Sequence, residues 1–207
     1  MKFLIVSGPT REPLDPVRYL SNYSTGVIGA RLEEAAKKRG HRVTAVHCPD
    51  DAETARDLLT KLRKLVPAHD VLLMAAAVCD KRPSKVFSGK IKKSSLRTVR
   101  LVNNPDILAI LAKKKTKNQV FIGFALESEK FLENGYRKLI AKKLESILIQ
   151  RVTLYARPFG ETPLQVYLLN KDKRFRHYRR IDKREAAELL VREAEDFFKS
   201  GKNRVTD

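Results

Sequence analysis

The chain has 207 residues, of which 43% are hydrophobic, and this length and composition suit one globular domain with a substantial core. No apolar run approaches the ~18 residues of a membrane-spanning helix, so no membrane partner is expected. The two cysteines are too few for a disulfide framework and lack metal-ligand spacing, which favours a cytoplasmic location.

The net charge is +19, from 43 Lys and Arg against 24 acidic residues, and such an excess attracts polyanions. The basic residues are spread along the chain, with local clusters at 113–115 and 174–180. Tryptophan is absent, and these clusters contain few aromatic side chains for base stacking. Nucleic acid is therefore not the expected partner, although the charge alone leaves a nucleic-acid-binding protein as an alternative.

Hydrophobic patterns predict the order of the secondary structure. Continuous apolar runs predict buried strands at 2–7, 43–46, 71–78 and 119–125, and amphipathic periods predict helices at 26–39, 54–65, 105–115 and 129–144. A hairpin at 166–180 and a helix at 183–199, capped by Asp182, complete the pattern. The predicted fold is an α/β, Rossmann-like, mostly parallel sheet flanked by helices, formed by a single domain over 1–200 with a polar tail at 201–207.

The connection between the first strand and the first helix is the strongest local signal. The strand breaks at Gly8, and Ser24-Thr25-Gly26 opens the helix, so backbone N–H groups are available to a phosphate. Glycines that serve only packing are the alternative interpretation. The spacing is not the compact dinucleotide fingerprint, and the second strand ends without an acidic residue, so a dehydrogenase is a weaker interpretation.

The same stretch carries a specific resemblance. GPTREPLDPVRYLSN followed by STG resembles the opening of phosphopantothenoylcysteine synthetase, which joins 4′-phosphopantothenate to cysteine in coenzyme A biosynthesis. The resemblance implies a stand-alone domain without the flavoprotein decarboxylase. It also implies that Asn22, in the LSN motif, polarises the acyl carbonyl and that Gly8 contacts the nucleotide. Without the resemblance, Asn22 would be read as a turn residue.

Two further motifs extend this resemblance. MAAAVCDKRP implies that Ala75 and Asp80 bind the nucleotide and that Ala76 and Ala77 meet the pantothenate, whereas close packing alone would also explain the alanines. KIKK implies a flexible basic flap on which Lys90 acts catalytically on the phosphates, since an ammonium offsets the charge that develops there. A solvated basic hairpin is the competing interpretation.

The remaining matches concern the nucleotide. NPDIL implies contacts from Pro105, Asp106, Ile107 and Leu108, although the same residues suit a helix capped by Asn104 with Pro105 at its first position. The GFALE strand end implies that Phe124 lines the base pocket, where a core residue is the alternative.

Lys138 and Lys142 lie four residues apart on one helix face and match family lysines that bind the nucleotide. A solvated lysine face is the alternative. Beyond residue 144 the sequence departs from the family pattern, with Gln150 and Arg151 in place of Asn and Asp and with an inverted Phe159-Gly160.

The resemblance implies a complete reaction. The 4′-phosphopantothenate carboxylate attacks a nucleoside triphosphate to give an acyl-nucleotidylate and pyrophosphate, and cysteine then displaces the nucleoside monophosphate. The resemblance favours CTP as this nucleotide, and ATP is the alternative. The resemblance also implies Mg²⁺ as the ion that neutralises the phosphates, with no prediction of its ligands. It further implies a homodimer. A relative that keeps the fold but has lost the ligase step is an alternative, suggested by the departures after residue 144.

Overall fold

The computed structural model describes residues 1–95, 97–153, 160–171 and 174–203. At its centre lies a seven-stranded sheet with the strand order β11-β10-β9-β8-β5-β1-β4. The strands from β9 to β4 pair in parallel, and β10 and β11 form an antiparallel hairpin at one edge. The predicted fold class is confirmed.

The strands are β1 (Lys2–Ser7), β2 (Arg11–Pro13), β3 (Tyr19–Ser21), β4 (Arg42–His47), β5 (Val71–Met74), β6 (Lys81–Pro83), β7 (Leu101–Asn103), β8 (Val120–Glu127), β9 (Ser146–Arg151), β10 (Leu164–Asn170) and β11 (Phe175–Ile181). The helices are α1 (Val27–Lys38), α2 (Ala55–Leu65), α3 (Ile107–Ala112), α4 (Phe131–Ala141) and α5 (Lys183–Asn203). The small β2–β3 and β6–β7 ladders are antiparallel and stand outside the main sheet.

Two hydrophobic cores sandwich the sheet. On one face, α1 and α5 contribute residues such as Leu32 and Leu190. On the other face, α2, α3 and α4 contribute residues such as Leu62, Leu111 and Leu139. Coverage of both faces explains why the parallel strands are continuous apolar runs instead of alternating patterns.

Several predicted element boundaries differ from those of the structure. The third strand ends at Met74 instead of running to Val78. Its pairing with β8 stops at Met74 and Gly123, whereas backbone hydrogen bonds continue on the β1 side, from Ala75 N to Val6 O (2.8 Å) and from Ala77 N to Gly8 O (2.9 Å). The helix after NPDIL begins at Ile107 and not at Pro105, because Asp106 caps it by accepting a hydrogen bond from Ala109 N at 3.1 Å. It also ends at Ala112 instead of Lys115.

The C-terminal helix runs longer than the sequence suggested. Asp182 accepts a hydrogen bond from Glu185 N at 2.8 Å, which confirms the predicted cap. The helix then continues to Asn203, into the predicted polar tail, and residues 204–207 lie outside the described residues. No helix in the described part of the chain is long and apolar enough to cross a membrane.

A charged cluster fastens α5 to the turn after α1. Glu195 accepts hydrogen bonds from Arg39 Nε (2.8 Å) and Arg39 Nη2 (2.6 Å), and His41 Nε2 lies 2.8 Å from Glu195 Oε1. The Arg39 guanidinium is the main reason that the pKa of Glu195 falls from 4.5 to about 2, and His41 adds to this effect. The carboxylate is therefore a stabilising element of the helix contact at neutral pH.

Replacing Glu195→Gln is expected to lower the free energy of unfolding by about 2 kcal/mol at pH 7, because charge-assisted hydrogen bonds are lost. A carboxyl group whose pKa is lowered on folding stabilises the fold above its unfolded pKa, and this contribution fades as the pH falls from about 4.5 towards 2. Urea denaturation at pH 7 and near pH 3 measures both effects. Asp196→Asn, an exposed neighbour with the same charge change, is the control, and equal destabilisation by both variants would contradict the assignment.

Candidate functional site

A cavity of about 540 Å³ opens where the parallel strands end at their carboxyl edge. The order of strand addition reverses there, because β4, the next strand of the sheet, lies on one side of β1 and β5 lies on its other side. Crevices at such switch points are the usual ligand sites of open α/β sheets. Its lining comes from the β3–α1 connection, the segment after β5, the start of α3, the end of β8 and the inner face of α4.

The first wall is the segment that leads into α1. Asn22 donates from Nδ2 to the Ala77 carbonyl at 3.2 Å, which ties this segment to the end of β5. Gly26 precedes α1 in the left-handed conformation (φ 70°), and the helix has neither a capping side chain nor an acidic residue in its first turn. The amino end of α1, at Val27 and Ile28, therefore faces the cavity with a positive dipole end that no side-chain anion offsets.

The second wall is the segment after β5. Ala75, Ala76 and Ala77 are half-buried and line the cavity, and Asp80 is exposed at its mouth. The segment is held by Thr10, whose Oγ1 accepts from Cys79 N at 3.0 Å, and by Asn104, whose Nδ2 donates to the Cys79 carbonyl at 2.9 Å. Small side chains on a fixed backbone leave room for a ligand at the strand end.

The third wall combines α3 and α4 and carries the charges. Lys142 Nζ lies 3.2 Å from Asp106 Oδ2, and Lys138 Nζ lies 2.6 Å from Glu127 Oε1. Phe124, on β8, is half-buried and also lines the cavity, but its side chain packs against the core on the α1 and α5 face of the sheet. The lysines are thus oriented by carboxylates, and an entering phosphate group could share their donors.

Most of the predicted site residues meet in this one cavity. Those that line it are Asn22, Ala75, Ala76, Ala77, Asp80, Pro105, Asp106, Ile107, Leu108, Phe124, Lys138 and Lys142. Gly8 and Lys90 are not among the described residues that line it. The site roles of all these residues stay predictions.

Gly8 occupies a position that other residues would strain. Its φ is +80°, and a Cβ there would lie 2.1 Å from the Cys48 carbonyl oxygen. Its own carbonyl accepts the hydrogen bond from Ala77 N described above. Gly8 therefore lets β1, the turn after β4 and the segment after β5 approach one another closely.

Lys90 is exposed, on the segment between β6 and β7. This segment contains a short 3₁₀ turn, Lys93–Ser95, and is attached to the loop between β2 and β3. Asp15 Oδ2 accepts from Ile91 N at 3.1 Å, and Arg18 Nη2 donates to the Ile91 carbonyl at 3.0 Å. The Arg18 guanidinium beside Asp15 holds the pKa of that carboxyl well below its usual range. The basic segment is thus anchored one residue after Lys90.

The structure adds cavity residues that the motifs did not indicate. Lys183, at the first position of α5, is buried and lines the wall opposite Lys138, where it donates to the Gly160 carbonyl. Burial lowers the pKa of Lys183. A lysine at the amino end of a helix is unfavourable, because its charge has the same sign as that end of the helix dipole. This unfavourable position is visible in the sequence and could have marked Lys183 as a candidate site residue. Gln150, noted only as a departure from the family pattern, also lines the cavity, whereas Phe159 lies outside the described residues.

The described residues contain no preformed cluster of metal ligands, and their two thiols are not activated. No group of three or more His, Cys, Asp or Glu side chains there could hold a metal ion. Cys48 and Cys79 are buried and free. Burial raises the pKa of Cys48 to about 12 and also raises the pKa of Cys79, so both stay thiols at neutral pH.

Comparison with known proteins identifies the family. The model of the DNA/pantothenate metabolism flavoprotein C-terminal domain matches residues 1–197. The chain belongs to this family. Its members include the coenzyme A biosynthesis bifunctional protein CoaBC of Borreliella burgdorferi, 33% identical over 204 residues that cover 92% of this chain and 51% of the relative. CoaBC of Escherichia coli K12 is 34% identical over 187 residues, which cover 83% of this chain and 46% of the relative.

The chain therefore spans about half the length of the curated relatives it matches. Among solved structures, the C-terminal domain of CoaBC superimposes with a TM-score of 0.78 at 28% identity and covers 96% of both chains. A Cab2 mutant in complex with phosphopantothenate-cysteine has a TM-score of 0.79 at 18% identity, which shows a common fold. The resemblance to the synthetase family that the opening motif indicated is confirmed.

Proposed function

We propose that this chain is a phosphopantothenate–cysteine ligase of coenzyme A biosynthesis. One observation carries the proposal: motif residues from five separate parts of the chain converge on a single cavity, in a member of the family. The substrate carboxylate attacks the α-phosphorus of a nucleoside triphosphate and expels pyrophosphate. The cysteine amine then attacks the acyl carbonyl and expels the nucleoside monophosphate.

The nucleotide occupies the α3–α4 side of the cavity in this proposal. Lys138 and Lys142 are the cations on that wall, and Phe124, which lines the cavity from the α1 and α5 face of the sheet, offers an apolar surface to the sugar or base. We propose CTP in preference to ATP on the basis of the family resemblance. Discrimination between the two bases falls to the groups around Phe124 and Gln150, which replaces the usual asparagine of the family.

The phosphopantothenate lies against the β3–α1 segment and the alanines of the second wall. The Asn22 amide is a neutral hydrogen-bond donor at the cavity. On substrate binding, its Nδ2 would give up the hydrogen bond to the Ala77 carbonyl and donate to the acyl oxygen instead. Mg²⁺ would accompany the nucleotide phosphates, for which the exposed Asp80 carboxylate is a suitable ligand, because Mg²⁺ is usually held by one or two carboxylates together with phosphates. Bound there, the ion would neutralise phosphate charge.

Lys90 supplies a further cation when its segment closes over the cavity. The exposure of Lys90 supports this role. Replacing Lys90→Gln is expected to reduce pyrophosphate release by at least ~100-fold, because transition-state charge is no longer offset. The assay combines purified protein, Mg²⁺, 4′-phosphopantothenate, cysteine and either CTP or ATP.

The control for this assay is Lys85→Gln, a change of an exposed lysine on the same segment. Pyrophosphate release that depends on phosphopantothenate, and that Lys90→Gln but not Lys85→Gln suppresses, would support both the function and the role of Lys90. Release that does not depend on phosphopantothenate would contradict the function.

A homodimer is part of the proposal. The small ladders β2–β3 and β6–β7 expose apolar side chains that a second copy could cover, namely Val17, Tyr19, Leu20, Val86, Phe87 and Leu101. Light scattering coupled to gel filtration should give twice the chain mass, and a monomer at micromolar concentration would contradict it.

The free buried cysteines are consistent with the proposed cytoplasmic location.

A further inference from the structure

A shallow groove, open to solvent and with a volume of about 520 Å³, lies on the outer side of α2 and α3. Arg56 and Arg63 reach it from α2, and Arg82 reaches it from β6. The spacing of 56, 60 and 63 places the two α2 arginines and Thr60 on one helix face. Among the described residues that line this cavity there is no Asp or Glu, so its three charged groups are all guanidinium groups.

The floor of this arginine groove is apolar. Leu59, Pro105 and Ile110 contribute to it, and Leu59 is buried. A guanidinium group can donate bidentate hydrogen bonds to two phosphate oxygens. The apolar floor offers space for an uncharged part of a phosphorylated ligand. The groove has room for a small molecule, which would stay partly exposed to solvent.

The arginine groove and the candidate active site share a wall. Asn104 and Pro105 line both cavities. Arg82 donates to the Asn103 carbonyl and to Asn104 Oδ1 (3.2 Å), and Asn104 N in turn donates to the Asp80 carbonyl at 2.8 Å. An anion that draws the Arg82 guanidinium towards itself would act directly on the segment that carries the NPDIL motif.

We propose that the arginine groove binds a phosphorylated small molecule, of the nucleoside-polyphosphate or pyrophosphate class, at a site separate from the active-site cavity. Binding there biases the position of Asn104 and Pro105 and thereby changes nucleotide affinity in the neighbouring cavity. A small molecule fits better than a nucleic acid, because three guanidinium groups converge on one groove of ligand size instead of following an extended track.

The test is a titration of the full chain with inorganic pyrophosphate, followed by amide chemical shifts in NMR spectra. Pyrophosphate should shift the amides of Thr60, Asn103 and Ile110, and in the variant Arg56→Gln/Arg63→Gln the dissociation constant read from these amides should rise at least tenfold. The control Lys64→Gln removes one positive charge from the same helix at an exposed position outside the groove, and it should change the constant less than twofold.

These amides report on the groove itself, so the outcome does not depend on the proposed ligase activity. Equal weakening by Lys64→Gln would show diffuse charge attraction and overturn the proposal, as would groove amides that do not move. A single-stranded RNA oligonucleotide that shifts the same amides at lower concentration than pyrophosphate would overturn the small-molecule assignment. The coupling between the groove and the active-site cavity is measured separately, as the effect of pyrophosphate on the dissociation constant of CTP. Pyrophosphate should change this constant in the parent chain and should change it less in the double arginine variant.

Discussion

Gly8→Ala should lower the free energy of unfolding by about 3 kcal/mol or more. The left-handed backbone costs a residue with a Cβ about 1–2 kcal/mol, and the clash with the Cys48 carbonyl oxygen at 2.1 Å adds a packing penalty of about 1–3 kcal/mol. The neighbouring atom is backbone, so no side-chain rotation relieves the clash. Urea denaturation followed by circular dichroism measures the loss.

Gly89→Ala is the matched control, since a Cβ at Gly89 meets nothing within 4 Å. It should change the free energy of unfolding by less than about 0.5 kcal/mol. The comparison also separates two roles for Gly8. If Gly8→Ala leaves stability unchanged but abolishes nucleotide binding, the glycine serves the ligand directly and the structural explanation is wrong.

Lys142→Gln should reduce kcat/KM for the nucleotide by about 10–100-fold, which corresponds to the ~1.5–3 kcal/mol of one charge-assisted hydrogen bond to phosphate. Lys142 is a cleaner choice than Lys138, because its partner Asp106 is half exposed, whereas the Glu127 carboxylate beside Lys138 is largely buried. Stability should therefore change little, and a thermal melt checks this. Steady-state kinetics with varied nucleotide measure the catalytic effect.

The control for Lys142 is Lys114→Gln, an exposed lysine that does not line the cavity. It should leave kcat/KM within about twofold, which shows that the effect of Lys142→Gln does not arise from the net charge of +19. A similar loss in both variants would mean that the protein attracts the nucleotide through its overall field and that α4 provides no specific contact.

The sheet could be predicted because its strands are buried on both faces and therefore appear as continuous apolar runs, as in Phe3 to Val6. The end of β5 could not be predicted, because the alanines at 75–77 are as apolar as the residues of a buried strand. Only the path of the neighbouring strand β8 decides that they face a cavity. The start of α3 was predicted wrongly because Asn104 and Asp106 are both good caps, and tertiary contacts of Asn104 with Cys79 and Asp80 select Asp106.

The candidate site shows the same division. Motif residues such as Asn22, Asp80 and Lys142 could be listed from the sequence, but their convergence on one cavity required the fold. Lys183 belongs to no motif, and the arginine groove combines residues of the MAAAVCDKRP and NPDIL motifs with Arg56 and Arg63, which belong to none. Lys183 reaches the cavity beside the Gly160 carbonyl, and the groove forms where residues of α2, α3 and the β6–β7 ladder line one surface. Separate segments of sequence carry no signal for such arrangements.

The most direct test of the proposed function is mass spectrometry of the product. Purified protein is incubated with 4′-phosphopantothenate, cysteine, Mg²⁺ and CTP or ATP, and phosphopantothenoylcysteine is quantified beside pyrophosphate. The ligase proposal predicts one product molecule per pyrophosphate, faster with CTP, and pyrophosphate release that still requires phosphopantothenate when cysteine is omitted. If folded protein yields no product with either nucleotide, the proposal is contradicted, and a relative that has lost the ligase step becomes the better account.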